Sequence, residues 1–185
     1  MLRNGRWLVA AMWLVAGACG GRAPSQTFIA LDRDFAGYQA WLTLSLPHQD
    51  LADITEPMGP RVGFLNRRPP AGATRYPVGT IIMKEIQDDP DPNRWPRFAM
   101  AKRGDDFNET GATGWEFFLL RIDGNGNPYI TSRGLAPNND GFDGGGDSYT
   151  PGGAAGGCNL CHGQATFAAH DHILSDPLFP SATAQ

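Results

Sequence analysis

The stretch GTIIMKEIQ, Gly79 to Gln87, decides the fold class. It is rich in β-branched and apolar residues and reads as a strand, with alternation setting Thr80, Ile82, Lys84 and Ile86 on one face. Arg61 to Leu65, Arg97 to Lys102 and Trp115 to Ile122 are similar short runs, separated by proline and glycine. The links between them are mostly too short to carry crossover helices, which predicts a largely antiparallel, half-open sheet of about four or five strands. Upstream, Asp32 to Leu46 places Phe35, Tyr38, Trp41, Leu42 and Leu46 at helical spacing before Pro47, and predicts an amphipathic helix. Helix is expected to return around Ala154 to His170. The fold expected is therefore α+β: a mainly antiparallel β-sheet with flanking helices and a distinctive C-terminal segment.

That segment is GGCNLCHG, Gly156 to Gly163. In a C-x-x-C-H unit, two cysteines three apart form thioethers with the vinyl groups of one heme, and the following histidine turns back onto the iron. Cys158, Cys161 and His162 are thus read as the attachment and axial ligand of one heme c, with His162 the metal ligand. Gly156, Gly157 and Gly163 let a porphyrin approach the backbone closely. Two other readings exist. A zinc knuckle would combine Cys158 and Cys161 with His170 and His172, but the spacings differ from those of zinc fingers. A redox dithiol would need a βαβ context that is absent from the pattern.

Heme is attached to such motifs outside the cytoplasm, and the start of the chain agrees. Arg3 and Arg6 precede an apolar run from Trp7 to Ala18, too short for a permanent span of about twenty residues. Residues 1–18 read as an export signal. Ala16-Gly17-Ala18-Cys19 resembles a bacterial lipobox cleaved before Cys19, which would then carry lipid; an ordinary signal peptide followed by a stray cysteine is the other reading. Of the three cysteines, two go to heme and one to the anchor, leaving none for a disulfide. Residues 19–27 read as a flexible tether and 28–185 as the heme domain, lipid-anchored on the periplasmic side of a bacterial membrane.

The chain has 185 residues, enough for one domain of ordinary size. With Arg3 and Arg6 removed, 13 basic residues face 19 acidic ones, a balance that disfavours nucleic acid as a partner. The 24 glycines and 15 prolines indicate many turns, and the stretch from Pro137 to Gly157 reads as a long loop whose aspartates lack EF-hand spacing. No methionine follows His162, which excludes the architecture of class I cytochromes c. Met58, Met83, Met100, His170 and His172 are the remaining sources of a sixth ligand, and an open distal site is the inference.

Taken together, YPVGTIIMKEI (Tyr76 to Ile86), GWEFFLL (Gly114 to Leu120) and a late CNLCH resemble the cytochrome P-460 family, whose relatives include cytochromes c′-beta. The resemblance runs from about Phe35 to His172. It implies a mono-heme site with a proximal histidine at His162, a vacant distal side and a homodimer. In hydroxylamine-oxidising members the lysine matching Lys84 is covalently joined to the porphyrin. Apolar neighbours on the strand would favour the neutral amine that such a bond needs, whereas a snorkelling lysine would keep its charge in water. Arg61 matches an arginine near the distal pocket that would hydrogen-bond a bound anion. The oxidising members carry a distal carboxylate on the strand matching Arg97 to Met100; here Phe98 stands in its place, and no base is ready to take substrate protons. Two function classes remain open. One is an oxidoreductase acting on a small nitrogen compound and passing electrons to a soluble redox protein. The other is a non-enzymatic gas-binding or electron-transfer protein with Phe98 as an apolar distal cap.

Overall fold

The computed structural model describes residues 26–48, 58–104, 107–137 and 157–184. The export signal, Cys19, nearly all of the tether and most of the 137–157 loop lie outside them. Six strands form one sheet in sequence order, each antiparallel to the next: β1 (Leu42–Leu46), β2 (Arg61–Leu65), β3 (Ile81–Ile86), β4 (Arg97–Lys102), β5 (Trp115–Ile122) and β6 (Pro128–Gly134). Among the described residues the links between strands carry no α-helical crossover, and each strand returns beside its predecessor. The fold is α+β in the broad sense and mostly β, with a few short helices: α1 (Gly157–His162), α2 (Pro180–Thr183) and several single 3-10 turns.

The helix expected over 32–46 is not formed. Its place is taken by 3-10 turns at Asp32–Phe35 and Tyr38–Ala40, followed by β1. Gly37 sits between the turns in the left-handed region, φ +68°, where a helix cannot continue. Beyond it, Leu42, Leu44 and Leu46 alternate with the exposed Thr43 and Ser45, a period of two that the ladder to β2 exploits. β6 is a further strand beyond those expected. Its signal was the Asp123-Gly-Asn-Gly-Asn127 turn, in which Asp123 Oδ1 accepts from the backbone N–H groups of Asn125 and Asn127 and Gly126 takes φ +85°.

Both faces of the sheet are buried, which is why β5 carries the apolar run Phe117 to Leu120 rather than an alternation. On the first face Ile81, Met83, Ala99, Ala101, Phe118 and Leu120 pack against Ala30, Phe35 and Tyr38. On the second, Leu46, Leu65, Ile82, Met100, Trp115 and Phe117 pack against Tyr76, Ala112, Ile173 and Leu178, with Cys158 at the margin. The first face also holds buried charge. Arg97 donates to Glu85 at 2.7 Å beside Tyr38, and Glu116 accepts from Nε and Nη2 of Arg133 at 2.8 and 2.9 Å. The second face is the one that carries the C-terminal segment.

Candidate functional site

The site begins with one turn of helix. Positions i, i+3 and i+4 of a helix share a side, so α1 presents Cys158, Cys161 and His162 together. The opposite side is pinned. Asn159 is buried, and its Oδ1 accepts from Asn108 Nδ2 at 2.7 Å and the Ala112 N–H at 3.0 Å, while its own N–H donates to the Leu135 carbonyl. A side chain at Gly111 would collide with the Asn159 amide, so glycine is required for this contact. Leu160 points to solvent.

His162 is then oriented by its ring. Its Nδ1 lies 2.7 Å from the carbonyl oxygen of His172, and His172 Nδ1 lies 2.8 Å from the carbonyl of His162. A carbonyl can only accept, so each Nδ1 carries the hydrogen, and in the neutral ring the lone pair sits on Nε2. Burial holds the His172 ring below the ordinary imidazole value, against the opposing pulls of its bond to His162 and of Asp171. The His162 ring also leans on Phe117, centroids 5.1 Å apart at 46°.

The carbonyl that orients His162 belongs to an unusual turn. Asp171 and His172 have φ of +55° and +64°, two successive left-handed residues of which neither is glycine. Asp171 is 1 % exposed, and its Oδ1 accepts from Lys102 Nζ at 2.7 Å, its Oδ2 from the Tyr76 N–H at 2.9 Å and its carbonyl from Trp115 Nε1 at 2.8 Å. None of these partners was singled out from the sequence. The juxtaposition of residues 76, 102, 115 and 171 is a product of the sheet, and the local signal was limited to an Asp-His pair able to tolerate the left-handed region.

The sheet register places the other expected site residues. Gly63, Lys84, Phe98 and Leu119 form one row across the second face, and Leu65, Ile82, Met100 and Phe117 form the row beside it. Lys84 Nζ lies 5.2 Å from the Phe98 ring centroid, a cation–π distance, and both side chains are half-buried. Two strand spacings and two residues separate Lys84 from Phe117, about 12 Å across the sheet. Arg61 is one row farther out, roughly 20 Å from Phe117, and its Nη1 donates to the Gly59 carbonyl at 3.0 Å. Met100 shares the face, Met83 lies on the opposite one and Met58 is exposed.

Two further observations bear on which group the site suits. Among the described residues no group of three or more His, Cys, Asp or Glu side chains is placed to hold a metal ion, and His170 stacks flat on Phe179 at 3.9 Å, away from a zinc knuckle role. A planar group fixed at one edge by two cysteines needs no such cluster. The donor set therefore fits a covalently attached heme. No strand residue of this face, among those described, is Asp or Glu; Glu85 and Glu116 belong to the first face.

Comparison of the chain with known families, curated proteins and solved structures finds no match.

Proposed function

We propose that this chain is an exported mono-heme c-type protein of the cytochrome P-460 kind that binds or oxidises a small nitrogen compound, hydroxylamine or nitric oxide. The observation that carries the reading is the shared face of Cys158, Cys161 and His162, with the His172 carbonyl directing the lone pair of His162 to Nε2. A heme held there supplies a redox-active iron that coordinates the small ligand. Cys158 and Cys161 fix its edge, and His162 holds it from one side. Lys84, within about 12 Å of Phe117, is in range of the same macrocycle. Arg61, on the same face, is the donor that the resemblance assigns to an anionic ligand, and Phe98 is the apolar cap of its part of the row. Electrons pass to a soluble redox protein, Cys19 carries the lipid that holds the domain at the periplasmic side of the membrane, and the working unit is a homodimer.

Heme staining of a denaturing gel tests the core of this reading: colour migrates with the chain, and extraction of all heme into acid acetone would refute it. Replacing His162 disturbs the iron spectrum more than replacing any other histidine. Native protein is extracted from membranes by detergent, and Cys19→Ser releases it or blocks its processing.

The non-enzymatic reading is favoured by one observation, the lack of a carboxylate among the described strand residues of the second face, since hydroxylamine oxidation needs a base. Lys84 separates the two. If it is joined to the porphyrin, its tryptic peptide is linked through heme to that of Cys158 and Cys161, and Lys84→Ala abolishes hydroxylamine turnover. If the peptides are separate, the protein binds nitric oxide or carbon monoxide without turnover; turnover with unlinked Lys84 would defeat both versions.

A further inference from the structure

We infer that the buried Lys102–Asp171 pair is a positioning device for the iron ligand: it holds the left-handed turn at residues 171 and 172, whose terminal carbonyl sets the tautomer and the rotation of the His162 ring. The inference rests on the heme reading of Cys158, Cys161 and His162.

Two successive left-handed residues with β-carbons are costly, and such strain persists only where the surroundings over-determine it. Here the bonds converge from several places. Lys102 on β4 and the backbone N–H of Tyr76 hold the Asp171 carboxylate, Trp115 on β5 holds its carbonyl, and the His172 N–H donates to the Phe167 carbonyl at 2.8 Å. Lys102 is itself fixed, donating to the Thr113 carbonyl at 2.9 Å and lying 5.1 Å from the Trp115 ring centroid. Both charges are 1 % exposed.

A buried ion pair is weak evidence for stability as such, because apolar residues of similar volume often serve equally well. What the pair does supply is a fixed place for one backbone atom. The turn ends on the His172 carbonyl, which receives His162 Nδ1–H at 2.7 Å, while His172 Nδ1 closes the exchange by donating to His162. A hydrogen bond at Nδ1 raises the basicity of Nε2 and locks the ring about its axis, so it sets both the strength and the direction of the iron bond. The chain of dependence runs from Lys102 through Asp171 and the His172 carbonyl to His162 Nε2. Asp171 touches no reacting atom and acts through another residue.

The test uses the ferrous holoprotein and reads the iron–histidine stretching band by resonance Raman spectroscopy, together with the midpoint potential. The variant Lys102→Met/Asp171→Ala removes both charges, so no unpaired ion is buried, and it removes the carboxylate that supports the turn. The band is expected to move to lower frequency and the potential to more positive values, with the thioether-bound heme content unchanged. Lys102→Met/Asp171→Asn keeps an acceptor for the Tyr76 N–H and a residue tolerant of the left-handed region, and is expected to recover at least half of each shift without reaching the wild-type value. If both variants melt earlier but keep the wild-type band and potential, the pair is merely structural and the inference falls. If the alanine variant does not fold, the asparagine variant decides: a shift in the stated direction supports the inference and a wild-type band overturns it. Wild-type protein without covalent heme would be a separate result, overturning this inference together with the heme reading.

Discussion

Tyr76 concentrates several contacts in one side chain. Its hydroxyl is 2.7 Å from the Leu178 carbonyl and 2.8 Å from Thr183 Oγ1, and its ring packs edge-on against Trp115. Burial first, with Asp171 adding to it, pushes the hydroxyl up to about 12 in spite of the Thr183 bond. Tyr38, buried beside Glu85, is likewise pushed up to about 12, by burial and then by its hydrogen bond to Glu85. In both cases the folded state holds the proton more tightly than the unfolded chain, whose tyrosines ionise near 10. The linked stability is thus fully present below about pH 10 and is lost as pH rises from there through 12. Alkaline titration followed by tyrosinate absorbance should show a late component near pH 12, which Tyr38→Phe and Tyr76→Phe each reduce. A wild-type titration with no component above pH 11 would contradict the burial of both rings.

At the scale of elements, α1 depends on a turn that precedes it by some fifty residues. Gly111 faces Asn159, and a methyl group there meets the amide that α1 uses to dock. Gly111→Ala should cost roughly 1–3 kcal/mol, as overpacking does in a well-filled interior. Urea denaturation measures it, and under the proposed heme reading the heme content per chain should fall with it; full stability would show that α1 docks elsewhere. The C-x-x-C-H spacing is legible as a pattern because it is local, and the heme it is proposed to hold is a reading of that pattern. The helix expected over 32–46 is not formed for a local and a non-local reason: Phe35, Tyr38, Trp41 and Leu42 satisfy helical periodicity, but Gly37 reverses the backbone and the leucines after it pair with β2 instead. Apolar spacing over a short window admits both periods, and strand pairing decided between them.

For the whole molecule, the deciding feature is a sheet buried on both sides. It explains the buried charges, since central strands cannot send every polar side chain to water. Glu116 is 1 % exposed on its side chain and is held by Arg133 and, at 3.2 Å, by Arg103. Glu116→Ala leaves two guanidinium groups without their carboxylate and should destabilise the fold by about 3–5 kcal/mol in urea denaturation. A loss below 1 kcal/mol would mean that water already solvates the arginines.

The sequence by itself determined the strand segments of β2 to β5, their antiparallel return and the motif that defines the candidate ligands, because alternation, link length and ligand spacing are properties of neighbouring residues. It also put Lys84 on a face with Ile82 and Ile86. What only the tertiary structure decided was the company those residues keep. Lys84 over Phe98, Asn159 against Gly111, and Asp171 between Lys102, Tyr76 and Trp115 join positions 14 to 95 residues apart. No local pattern encodes such contacts, because each exists through the register of strands and the docking of one segment on another, and those follow from burying both faces at once.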